Sequence, residues 1–164
     1  MPNLPSLRPA LATSAIALLA AACAHAAAPL PASELEALAK EVSAAETAFA
    51  KTMADRRVDR FAEFIAEDAV FHGPALQVGR AAIVEKWRPL FEKPEAPFSW
   101  GPDLVTVAAD GRSALSTGPV RDPQGRIGSR FMTIWEKGAD GRWRVAVDQG
   151  VDIGPCPADA APAK

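Results

Sequence analysis

The sequence predicts an α+β domain in which helices gather on one side of a mainly antiparallel sheet. Three observations predict it. Amphipathic stretches with apolar residues spaced by three and four fill the chain between residues 33 and 92. Runs rich in Val, Ile, Thr, Phe and Trp, which suit a pleated and half-buried surface, fill 98–153. Turn residues divide those runs at Asp110-Gly111, Asp122-Pro123-Gln124-Gly125 and Asp140-Gly141. Asp-Gly between β-rich runs predicts hairpins of the two-residue type, whose central residues both take positive φ.

The first 26 residues are of a different composition. Arg8 is the only charged side chain before Glu34, an Ala/Leu-rich run covers 10–22, and Ala24-His25-Ala26 offers small residues for cleavage. That order predicts a signal peptide of residues 1–26, with cleavage after Ala26. A weakly hydrophobic membrane anchor is the alternative, although the run is short of the ~20 strongly apolar residues of a stable span. Ala20-Ala21-Ala22-Cys23 also resembles a bacterial lipobox, which would make Cys23 the lipidated first residue. Both export routes predict a periplasmic or secreted domain, with no membrane contact unless Cys23 is lipidated. Cys156 then has no internal disulfide partner.

Residues 27–33 read as an Ala/Pro linker and 34–153 as one domain. The first helix is expected to start at a capping box, Ser33 with Glu36, and to end at 54–56. Its stripe is Leu35, Leu38, Val42, Ala45, Phe49 and Met53, with Glu36, Lys40 and Glu46 on the charged face. A short helix over 58–66 follows, then a strand over 69–72 that stops at Gly73-Pro74. A loop leads to a third helix over 80–92, where Pro89 predicts a kinked or broken last turn. Four strands are expected at 98–108, 112–120, 127–137 and 142–153. The Pro-containing stretch 154–164 reads as a disordered tail.

Composition excludes several functions. With 18 Lys+Arg against 20 Asp+Glu the formal net charge is −2, which argues against nucleic acid as a partner. No Cys/His cluster has zinc spacing, and no phosphate loop, dinucleotide fingerprint or nucleophile elbow appears, so neither metal nor cofactor is expected.

The candidate residues are few. His72 is the only histidine beyond the leader, and an imidazole at a strand end reads either as a general base or as a hydrogen-bonded turn residue. Asp148 interrupts the last strand. Strict alternation sets Trp143, Val145, Val147 and Gln149 on one face and Arg144, Ala146 and Asp148 on the other. Should the second face line a cavity, Asp148 can orient His72; otherwise it is solvated or pairs with Arg130. Arg130 reads as an anion partner within an apolar face or as a surface salt bridge. Trp87, Trp100, Phe131 and Trp135 read as a flat wall for a ring-shaped ligand or as ordinary core. Asp68 reads as a corner residue between helix and strand.

Several stretches resemble the SnoaL-like/DUF4440 group of the NTF2-like superfamily. They are Phe61-Ala62-Glu63-Phe64-Ile65-Ala66-Glu67-Asp68-Ala69-Val70-Phe71, then Gly79-Arg80-Ala81-Ala82-Ile83 ahead of a Trp-bearing helix, and two strand ends. Those ends are Thr133-Ile134-Trp135-Glu136 and the run from Gly141-Arg142-Trp143 to Asp148-Gln149-Gly150. The resemblance implies a cone in which a curved sheet wraps the first helix and leaves an apolar cavity at the open end. It implies a homodimer through the outer sheet face as well. The superfamily includes isomerases, cyclases, dehydratases, hydrolases and non-catalytic domains, so fold alone leaves function open. The ketosteroid-isomerase mechanism uses a tyrosine and an aspartate base. This chain has no tyrosine, and the base position before the proline is Gly73. Two functions are therefore expected side by side. One is metal-free acid/base chemistry with His72 and Asp148 on a small apolar ligand. The other is a non-catalytic ligand-binding or assembly domain.

Overall fold

The computed structural model describes residues 28–153. The expected leader with Cys23, and the expected tail with Cys156, lie outside the described residues. Helix α1 (Ala32–Ala54) is followed by α2 (Val58–Glu63), β1 (Ile65–His72), β2 (Leu76–Val78) and α3 (Arg80–Phe91). Strands β3 (Ser99–Trp100), β4 (Leu104–Val107), β5 (Ser113–Arg121), β6 (Ile127–Lys137) and β7 (Trp143–Asp152) complete the chain. They form one curved sheet in the order β2-β1-β7-β6-β5-β3, with β4 also paired to β5. All pairs are antiparallel except β1 with β7.

The sheet wraps α1. Val42, Phe49 and Met53 are fully buried against Ile65, Trp135 and Val145, which also have no exposed surface. Each such side chain contributes about 1.5–3 kcal/mol through burial. Polar ties fix the register of helix on sheet. Glu41 accepts bonds from the Trp143 indole at 3.1 Å and from Lys137 at 3.0 Å.

Several local expectations are corrected. There is no capping box: α1 begins at Ala32 behind Pro31, and the Pro31 carbonyl accepts from the Glu34 and Leu35 amides. The Leu30 amide is held by the Ala109 carbonyl, so the chain enters from Pro31 and Ser33 falls inside the first turn. Helix α2 stops at Glu63 because the next residues join the sheet: the Val145 amide donates to the Phe64 carbonyl at 2.7 Å. Strand β2 was expected as loop, and it folds back on β1 with Leu76 opposite His72. The helix continues through Pro89 to Phe91 without the expected break. The predicted strand 98–108 is two strands, since Pro102 lacks an amide for the ladder. Gly101 there approaches Gly118 so closely that a Cβ on Gly118 would lie 1.9 Å from the Gly101 oxygen.

The three hairpins share a turn that differs from the expected one. Only Gly111, Gly125 and Gly141 take positive φ; the aspartates before them do not. Each loop is a type I turn closed by a left-handed glycine. Asp110, Asp122 and Asp140 accept backbone amides two residues on.

Arg56, the only described non-glycine residue with positive φ, joins the ends of two helices. Its guanidinium donates to the Met53 carbonyl closing α1, and to the Leu90 and Lys93 carbonyls closing α3. It also lies over the Phe91 ring, 5.6 Å from the centroid.

Candidate functional site

The cone opens on an aromatic-walled cavity of about 280 Å³. Phe49 from α1 forms its floor, Trp87 from α3 one wall, and Phe98 and Trp100 another; Phe131 and Asp148 belong to the sheet side. A second lobe of about 270 Å³ shares His72, Gly73, Trp87, Phe98 and Asp148, so the two are lobes of one opening. Phe98 meets Trp87 nearly edge-on, with planes at 84° and centroids 6.1 Å apart. Trp100 meets Phe49 at 78°. The rings thus present faces in several directions around the space.

Asp148 reaches this space because of a bulge. Ile134 pairs with Val147 while Trp135 pairs with Val145, so Ala146 has no partner on β6. The extra residue reverses the parity of β7. Trp143 and Val145 face the core before it; Asp148 and Gly150 face the cavity after it. Val147 and Gln149 consequently turn outward, against strict alternation. Asp148 is half-buried, and its Oδ2 accepts the Thr133 hydroxyl at 2.8 Å. Desolvation, opposed by the Thr133 bond and reinforced by the charge of Glu46, pushes its pKa up to about 7.

His72 lines the same opening from the last position of β1 and is exposed. Its β7 neighbour is Gln149, whereas Asp148 is opposite Phe71. Among the described residues Asp148 is bonded to Thr133 and not to His72. Trp87, Trp100 and Phe131 stand on the cavity wall as expected. Trp135 does not: it has no exposed surface and packs edge-on against Phe49 in the core. Arg130 is also absent from the wall. It is half-buried on the outward side of β6 and pairs with Asp103, between β3 and β4, rather than with Asp148. Asp68 is exposed within β1. No three His, Cys, Asp or Glu side chains come together among the described residues.

Glu46 is the residue that sequence reasoning placed wrongly. Expected on the charged face of α1, it is fully buried. Its Oε1 accepts the Trp100 indole N–H at 2.8 Å. Its Oε2 accepts the Ser116 hydroxyl at 2.5 Å and the Trp135 indole N–H at 2.9 Å. Burial raises its pKa above the ordinary carboxylate range, against the pull of these donors. The signal was in the spacing: Glu46 lies four residues after Val42 and three before Phe49, on the apolar stripe itself.

Residues 46–146 match the SnoaL-like domain family. The chain belongs to that family. No functionally curated protein matches the sequence. Solved structures agree on the fold, which is that of the NTF2-like superfamily. A protein of unknown function from Mycobacterium tuberculosis superimposes with a TM-score of 0.63 at 18% identity, over 82% of each chain. An NTF2-like protein of unknown function from Pseudomonas putida gives 0.60 at 18% identity, over 79% of this chain and 97% of the other. A ketosteroid isomerase-like protein from Erwinia carotovora atroseptica gives 0.56 at 18% identity, over 71% of this chain and 97% of the other. The SnoaL-like family, with isomerase and ligand-binding members, therefore fixes architecture and leaves the reaction to the side chains of each site.

Proposed function

We propose that this SnoaL-like domain binds a small, largely apolar molecule in its aromatic cavity and moves a proton on it with Asp148. The supporting observation is a carboxyl group held near pKa 7 against that cavity. Such a group is half-protonated at neutral pH and serves as general acid or base with little driving force lost. The reactions it suits are isomerisation, cyclisation, dehydration and hydrolysis through proton transfer. Asp148 takes the leading role here. His72 stands at the solvent rim of the same opening.

Carbonyl ¹³C NMR of Asp148 tests this reading. The expected titration midpoint is about 7 and moves when a neutral apolar probe, N-phenyl-1-naphthylamine, fills the cavity. A midpoint near the ordinary value of about 4, unmoved by the probe, overturns it.

A second reading has its own support. Met132, Val147 and Val151 are 41%, 36% and 42% exposed on the outer sheet face. An apolar convex face of this kind supports a homodimer and an assembly role beside or instead of catalysis. The leader features of residues 1–26 support export to the periplasm or beyond, by secretion or through lipidation of Cys23.

A further inference from the structure

The proposed ligand pocket, on which this inference rests, has a charge pattern that narrows what enters it. Two carboxyl groups serve the interior: Glu46 at the bottom, bonded to the wall residue Trp100, and Asp148 on the sheet side. Among the described residues no lysine or arginine is buried. The charged or titratable neighbours of Asp148 are Glu46 of α1, His72 at the exposed end of β1 and Lys86 of α3 at the outer lobe. Thr133 of β6 faces it with a neutral hydroxyl. The interior thus holds two carboxyl groups and, among the described residues, no buried cationic side chain.

The walls point the same way. Phe49, Trp87, Phe98 and Trp100 surround the space, Phe49 with Trp100 and Trp87 with Phe98 nearly edge-on and Phe98 with Trp100 tilted at 41°. A ring face carries partial negative charge and attracts cations, the more so where water is excluded. An aromatic enclosure with one carboxylate and no internal cation satisfies an ammonium group on every side. It offers an anionic ligand nothing in its deepest part.

We propose that the cavity selects a small organic cation, an apolar body carrying a substituted ammonium group, which sits between the aromatic walls and Asp148. A neutral ligand of the same shape fills the same volume but forgoes the attraction of the rings and the carboxylate. Cation binding favours the ionised carboxylate, so it releases a proton from Asp148 below about pH 7 and tightens as the pH rises to 8.

The test is calorimetry on the intact domain with choline and its neutral isostere 3,3-dimethyl-1-butanol. Choline is expected to bind about tenfold more tightly at pH 8. At pH 6 its advantage shrinks, and proton release appears as a buffer-dependent heat. Asp148→Asn is expected to remove most of the preference. Phe98→Leu, which keeps apolar bulk but loses a ring, is expected to weaken choline and spare the alcohol; circular dichroism confirms that each variant is folded. Equal or tighter binding of the alcohol across pH 6–8 overturns the inference and leaves the apolar pocket standing. Binding of neither probe also overturns it. If N-phenyl-1-naphthylamine is then not taken up either, the pocket reading falls with it.

Discussion

At the scale of single residues, the interior is held together by polar atoms that must all be matched. Glu46 accepts two indole N–H groups and a hydroxyl, and removing it takes the acceptor from the Trp100 indole and the Ser116 hydroxyl and leaves the Trp135 indole only the Ser116 oxygen. Glu46→Ala is expected to lower stability by about 2–5 kcal/mol in urea unfolding, from the cavity it leaves and the donors it strands. Glu46→Gln, which keeps the volume and one acceptor, should lose less. Asp148 predicts the pH dependence of the fold. Its pKa is about 7 in the folded chain and about 3.9 when unfolded. Between those values the folded state binds the extra proton. The contribution of Asp148 is thus full below pH 4 and is lost as the pH rises through 7. Asp148→Asn should therefore unfold at a higher temperature than the parent at pH 8, with the difference vanishing near pH 4. Glu46, raised in the same direction, leaves part of the slope in place.

Elements place these groups, some through local turn chemistry and some only through contact. The hairpins were legible because Asp-Gly pairs encode a turn locally, although the turn proved to need only the glycine left-handed. Strand β6 was legible to the residue, Ile127–Lys137, and its buried residues alternate from Phe131 through Thr133 to Trp135. The face of Asp148 was not, because Ala146 looks like any other small residue in a strand. Only its missing partner on β6 makes it a bulge. Deleting Ala146 removes the bulge and leaves strict alternation, with Val145 and Asp148 inward and Val147 outward as before. The expected result is a folded domain whose position-148 carboxyl still titrates near 7 by NMR and which still takes up the apolar probe; a midpoint near 4 would show that the bulge itself is needed to place the group. Glu46 escaped for the opposite reason: a carboxylate on an apolar stripe is read as surface until the indoles that bind it are known to face it. Gly118 carries a separate prediction. A methyl group there meets the Gly101 carbonyl, so Gly118→Ala is expected to cost at least about 2 kcal/mol and to shift Trp100 fluorescence as β3 is pushed away.

For the molecule as a whole, the order of helices and strands was readable from periodicity, and the cone from a handful of short runs. Burial within it was not, because helix and sheet decide each other's inward face only on contact. The outward face is then the natural surface for self-association. Light scattering at micromolar concentration is expected to return twice the chain mass, and Met132→Lys with Val147→Lys to return a single chain with an unchanged circular dichroism spectrum. A single-chain mass for the parent protein would remove the dimer.

Arg56 has a mechanical consequence for traffic through the mouth. By gripping the last carbonyls of α1 and α3 together it anchors the base of the helix that carries Trp87. That side of the doorway is a fixed jamb. Gly73 and Pro74 border the same opening, so a bulky guest is expected to displace that bend before it displaces α3.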